Sequence, residues 1–145
     1  MLTNQSTSIR ETVIGLNEFL TDVYKIETRL SSLLSGLGFE ASQIEEIRKN
    51  HLTEVVAAFV CCLRDRVLTF QGGERAYRII SRYYGLDGEP RENLQCLGNE
   101  LSITRERVRQ LKEKALRKCK TQASREFLEV KLKEIATQLL SNSTV

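Results

Sequence analysis

From Arg105 to Lys120 the sequence places eight Lys or Arg and two Glu in sixteen positions. So dense a run of cations suits one kind of chemistry, the neutralisation of phosphate, which gives sequence-independent and salt-sensitive affinity for nucleic acid. A helical wheel at about 100° per residue sorts the stretch into faces. Val108, Leu111, Ala115 and Cys119 fall on one side, with Glu106, Gln110, Glu113 and Arg117 opposite. Arg105, Arg109 and Lys112 line one flank, and Arg107, Lys114 and Lys118 the other. That arrangement fits a helix whose ridge enters a groove walled by phosphates. The expected phosphate-binding residues are Arg107, Arg109, Lys112, Lys114, Arg117 and Lys118. A carboxylate facing DNA is repelled by phosphates, so Glu106 makes sense there mainly as an acceptor for a cytosine amino group. Gln110 can pair bidentately with adenine, and Arg105 or Arg109 with guanine. The alternative is an ordinary solvated basic face.

Other chemistry finds little support. Cys61, Cys62, Cys96 and Cys119 form neither a C-x-x-C pair nor a zinc-ligand spacing, and the one His, His51, has no clustered partners. There is no Gly-rich phosphate loop, and a cysteine nucleophile would need a base that the sequence does not advertise. The expectation is a non-enzyme with no catalytic residues, no metal and no cofactor, and with reduced structural cysteines.

The elements that position the basic stretch are helical throughout, because no segment alternates apolar and polar residues as a strand would. Net charge over the 145 residues is only +3, but it is unevenly spread. Seven basic and nine acidic residues precede Gln71, while fifteen basic and ten acidic follow from there. In the first segment Ile9, Val13, Leu16, Leu20, Val23, Leu30, Leu34 and Leu37 recur at three- and four-residue spacings, a seam of about four heptads interrupted only by Glu27. Gly36 and Gly38 supply a stop, and Ser42-Gln43-Ile44-Glu45 has the form of a capping box that starts a second long helix. That helix is apolar on most sides between Val55 and Leu63, a run about half the length of a membrane span. Two helices of ~40 Å each would make an antiparallel hairpin over residues 1–70. Such a pair cannot cover its own apolar surface, so it must pack on the rest of the chain or on another chain. Leu16, Leu20, Val23, Leu30, Leu34, Val56, Phe59 and Leu63 are the expected dimer or assembly residues.

Gln71-Gly72-Gly73 is the expected boundary. A helix-turn-helix domain over 74–121 follows, with short helices at Glu74–Tyr84 and Leu94–Leu101, a turn at Ser102-Ile103-Thr104, and a longer helix from Arg105 to about Lys120. Gly98 is small where the two helices of the motif press together, Leu101 and Ile103 tuck inward, and Thr104 is a suitable N-cap. A packing helix over 124–141 presents Leu128, Leu132, Ile135 and Leu139 on one face.

Tyr83-Tyr84-Gly85-Leu86-Asp87-Gly88-Glu89-Pro90, then Leu94, Leu97-Gly98 and Leu101, and above all Thr104-Arg105-Glu106-Arg107-Val108-Arg109-Gln110-Leu111 with Lys114-Ala115-Leu116-Arg117-Lys118, closely resemble region four of the bacterial primary sigma factors. The resemblance spans roughly Arg75 to Lys120. It implies a module for the −35 promoter element, with Arg105, Glu106 and Gln110 reading bases and Arg107, Arg109 and Lys112 at phosphates. The residues before it do not resemble the aromatic-rich domain with which a complete sigma factor melts DNA, so autonomous promoter opening is not expected.

The expected fold is therefore all-α. The expected function is that of a sequence-specific, DNA-binding transcription regulator, acting as a homodimer on two half-sites. Its expected partners are double-stranded DNA, a second copy of the chain and RNA polymerase, with no membrane. The expected location is the bacterial cytoplasm, at the nucleoid, since Met1 to Ser6 carry no secretory pattern. Two alternatives stand beside it: the region-four half of a split sigma factor, and a helical protein-interaction module without DNA binding.

Overall fold

The computed structural model describes residues 8–143, so the N-terminal residues read for a secretory signal lie outside it. Ser8 caps the first helix, α1 (Ile9–Tyr24), through a reciprocal capping box with Glu11. Seven further helices follow: α2 (Leu30–Gly36), α3 (Ala41–Asn50), α4 (Leu52–Leu68), α5 (Gly73–Tyr84), α6 (Leu94–Leu101), α7 (Arg105–Cys119) and α8 (Gln122–Ser143). No strand occurs among the described residues. The chain is all-α. No helix among those residues is long and apolar enough to cross a membrane.

The N-terminal segment departs from the expected two-helix hairpin. The first long helix is cut at Lys25, which takes a left-handed conformation (φ 64°). Polar side chains then hold the corner. Thr28 N–H donates to Thr21 Oγ1 at 2.9 Å, Thr21 Oγ1 donates to Thr28 O at 3.1 Å, and Leu30 N–H donates to Asn17 Oδ1 at 2.9 Å. These bonds offer the backbone an alternative to the helical ladder, so the heptad spacing continues while the helix does not. The second long helix breaks at His51, where the apolar spacing steps by five from Ile47 to Leu52 and loses helical phase. Its start also differs: Glu40 is the N-cap and Gln43 closes the capping box, in place of Ser42 with Glu45.

The need to cover α4 is met within the chain. α4 packs chiefly on α8 and α5, and a single cluster of buried residues runs from Leu16 on α1 to Ala136 on α8. This corrects the assignment of a dimer seam. Leu16, Leu20, Val23, Leu30, Leu34, Val56, Phe59 and Leu63 are all 5% exposed or less, inside one copy, and have no surface left to offer a second. α8 buries Leu128, Leu132 and Ala136 against α4, with Ile135 and Leu139 at the margin. At its start Ser124, fully buried, donates to Lys118 O at 2.8 Å and accepts from Arg66 Nε at 3.0 Å, tying α4, α7 and α8 together.

α1 crosses the C-terminal end of α5. A Cβ added to Gly15 would lie 1.9 Å from Tyr84 O, so the two backbones are as close as a glycine permits. Tyr84 is completely buried, sits edge-on to Phe19 with ring centroids 5.4 Å apart, and donates its hydroxyl to Asp22 Oδ2 at 2.6 Å. Arg91 adds a bidentate ion pair with Glu18 at 2.7 and 3.2 Å.

Candidate nucleic-acid interface

α5, α6 and α7 meet around a second, small core of Ile79, Leu97 and Val108, each 0% exposed. α6 begins at Asn93, whose side chain accepts from Cys96 N–H at 2.8 Å, and ends at Ser102 in the left-handed region (φ 60°). Ile103 N–H then returns to Gly98 O at 2.9 Å. A Cβ on Gly98 would sit 2.7 Å from Ile103 O, so the glycine is required by the turn folding back onto α6 more than by the facing helix. Thr104 caps α7 by accepting from Arg107 N–H at 3.0 Å. Arg78 braces α5 to α6 with a bidentate pair to Glu100 at 3.1 and 2.7 Å, and Arg82 pairs with Glu92 beside the loop.

This frame turns one face of α7 inward and leaves the other bare. Val108, Ala115, Leu116 and Cys119 are buried. Arg105, Glu106, Arg107, Arg109, Gln110, Lys114 and Arg117 are exposed, and Lys118 is half-buried with its ammonium 5.6 Å from the Phe70 ring centroid. Val108, Ala115 and Cys119 are buried and Glu106, Gln110 and Arg117 exposed, as the wheel has them; Leu111 and Glu113 are half-buried, and one residue departs outright. Lys112, assigned to phosphate, is 8% exposed; its ammonium lies 4.5 Å from the Tyr83 ring centroid and 3.4 Å from Glu113. It belongs to the packing of α7 on α5, its stem buried and its charge held over an aromatic face, and is not at the outer face.

Two of the three base-reading candidates are already oriented. Arg109 donates twice to Glu106, at 3.0 and 2.6 Å, and Arg107 donates to Gln110 Oε1 at 3.3 Å. The hydrogen bond from Arg109 holds the Glu106 carboxyl below the usual carboxylate range, so it is an ionised acceptor at neutral pH. Glu106 also lies in the first turn of α7, where the helix dipole favours negative charge.

A residue that periodicity did not single out joins the basic flank. Arg75, in the first turn of α5, lines a cleft of about 260 Å³ together with Arg107, Lys114 and Lys118 and the Phe70–Gly72 loop; no Asp or Glu lines it. The signal was tertiary, since only the packing of α5 on α7 brings Arg75 to that flank. No group of three or more potential metal ligands occurs among the described residues. The Cys119 thiol is buried and pushed up to about 12, which makes it a poor nucleophile.

The span from α5 to the end of α7 coincides with a known family. Residues 73–121 match the family model Sigma-70, region 4. Sigma-70 region 4 is a DNA-binding helix-turn-helix family, and the match covers α5, α6 and α7 from end to end. It takes in the full set Arg105, Glu106, Arg107, Arg109 and Gln110 and stops short of α8 and of everything before Gly73. Searches of curated proteins and of solved structures return no match.

Proposed function

We propose that this chain is a transcription regulator that sets α7 into the major groove of duplex DNA, with Arg105, Glu106 and Gln110 against base edges and Arg75, Arg107, Arg109, Lys114, Arg117 and Lys118 along the phosphates. The observation that carries this reading is the pre-set outer face of α7, where Arg109 orients an ionised Glu106 within a ring of exposed cations. A carboxylate so placed weakens non-specific affinity and gains a partner only at the edge of a base that offers a donor. The arginine that holds it also stands where it can contact a phosphate, so positioning and reading are coupled. With the apolar residues once assigned to a dimer seam taken up by the interior, the reading is of one copy per site.

Selection from a random duplex library, followed by binding titrations over a range of salt, tests it. Wild type is expected to enrich a short motif. Glu106→Gln and Gln110→Ala are expected to change the motif, each altering discrimination at one base by about 5- to 150-fold. Arg107→Ala and Lys114→Ala are expected to weaken all sequences alike and to lower the salt slope by about one each. Arg109→Ala is expected to do both, because it removes a phosphate contact and frees Glu106. The absence of any enriched motif, together with a salt slope indifferent to these variants, would sink the proposal and leave a helical interaction module. A second reading, favoured by the family matched at residues 73–121, is a region-four supply to RNA polymerase. Its mark would be stable copurification with core polymerase in the absence of DNA.

A further inference from the structure

The N-terminal half carries a concave surface of its own. α1, α2, α3 and the first residue of α4, Leu52, enclose a groove of about 530 Å³ whose lining includes nothing from α5, α6 or α7. Leu30, Leu34 and Ile47 form its buried floor, while Val13 and Ile44 are half-buried in its walls. Ile14 stands among the lining residues with 56% of its surface exposed. A lone exposed isoleucine is ordinary, but one that continues an apolar groove extends a contiguous patch of the kind that marks an interaction site.

The same groove is lined by three arginines from three different elements: Arg10 on α1, Arg29 at the N-cap of α2 and Arg48 on α3. No Asp or Glu lines it. Arg29 and Arg48 hold their near neighbours Glu27 and Glu45, both pairs well exposed and so easily exchanged. Arg10 forms no ion pair with another described residue.

We propose that this groove docks an amphipathic α-helix from a separate protein, with the apolar face of that helix on Leu30, Leu34 and Ile47 and with Asp or Glu along its flanks, opposite Arg10, Arg29 and Arg48. A groove between helices suits apolar anchors at i, i+3, i+4 and i+7, and the three cations select the charge of the flanks. Two-fold pairing with a second copy through this face would set the same three arginines against each other. The proposal is independent of how α7 is used.

The test uses the full chain and three synthetic helical peptides. Two share one apolar face, flanked by Glu in the first and by Lys in the second; the third is a scramble of the Glu peptide with no apolar face. Fluorescence anisotropy near 150 mM salt is expected to show the Glu-flanked peptide binding at least tenfold more tightly than either control, with amide shifts at Val13, Ile14, Ser31 and Arg48. Ile14→Glu is expected to lower that affinity at least tenfold without moving the melting midpoint. The double variant Arg10→Glu, Arg48→Glu is expected to transfer the preference to the Lys-flanked peptide. Equal binding of the scramble, or shifts confined to α7, would overturn the proposal, since either is what a basic surface does to any acidic peptide. It is equally overturned by self-association that Ile14→Glu abolishes, which makes a second copy the occupant. Binding seen only after removal of residues 1–7 overturns it too, and gives the groove to the start of the chain itself.

Discussion

Gly15→Ala is a sharp probe of how the helix-turn-helix is held, because two effects of opposite sign meet at that position. In the interior of an exposed helix, alanine is better than glycine by about 1 kcal/mol, through the lower conformational entropy lost on folding. If α1 were loosely attached, the substitution would stabilise the protein. In this fold the added Cβ would lie 1.9 Å from Tyr84 O, against a closest approach of 3.0 Å for real Cβ atoms. The obstacle is backbone at the end of α5 and cannot rotate away, so α1 and α5 must part by about 1 Å, enough to forfeit a quarter to a half of the dispersion energy across the contact. The contact includes Phe19 and Tyr84, both essentially buried, and the 2.6 Å bond from Tyr84 to Asp22. Overpacking of this kind costs about 3 kcal/mol at its upper end, leaving a net loss of about 2 kcal/mol after the gain in helix propensity. The melting midpoint should fall by about 6 °C. Urea and thermal unfolding monitored by circular dichroism measure this directly. Gly36→Ala is the control, since nothing lies within 4 Å of the Cβ it would add. A Gly15→Ala protein as stable as wild type, or more so, would refute the docking of α1 on α5.

Lys112→Ala should destabilise the fold by about 1 to 2 kcal/mol through loss of its buried stem and of the contact with Tyr83, yet leave the salt dependence of DNA binding unchanged, whereas Lys114→Ala does the reverse. Burial pushes Cys119 and Tyr77 each up to about 12, and burial with the hydrogen bond to Asp22 raises Tyr84 further. These groups keep their protons in the folded state at a pH where the unfolded chain has lost them. Their contribution is therefore whole below about pH 9 and declines as the pH climbs toward 12. Urea midpoints at pH 7.5 and 10.5 should show the fall, and Tyr77→Phe should lessen it; an unchanged midpoint would contradict it.

The helix-turn-helix was legible because its determinants are local. Asn93, Gly98 and Thr104 fix the boundaries within three to five residues of where they act, and the buried set Leu97, Val108 and Ala115 follows helical period. The N-terminal half was less legible because what decides it acts over longer spans. The corner at Lys25 depends on bonds seven and thirteen residues apart, each made by a Thr or Asn that periodicity treats as filler. The period of Leu16, Leu20 and Val23 correctly announces an apolar face but carries no information on what will cover it. Intrachain packing against α5 and the other helices and docking onto a second copy leave the same mark in sequence. Lys112 was misplaced for the same reason: a wheel records its direction but not the Tyr83 ring that closes over it. Arg75 came to the basic flank only through the contact of α5 with α7.

The way the interior is partitioned bears on whether the helix-turn-helix can be moved. Only Ile79, Leu97 and Val108 form a core belonging to α5, α6 and α7 alone, while Ile80, Tyr84, Ala115, Leu116 and Cys119 turn toward α1, α4 and α8. A fragment cut at residues 73 and 121 would bare that second set to water, while keeping Ile79, Leu97 and Val108 with Tyr83, Leu94, Leu101, Ile103 and Leu111 packed around them. The segment that matches a family thus shares its interior with the rest of the chain. Its orientation is set against helices outside the matched residues, so an altered residue on α1 should be felt in the angle at which α7 is presented. A graft of residues 73–121 into another protein would expose the apolar surface that α1, α4 and α8 cover here.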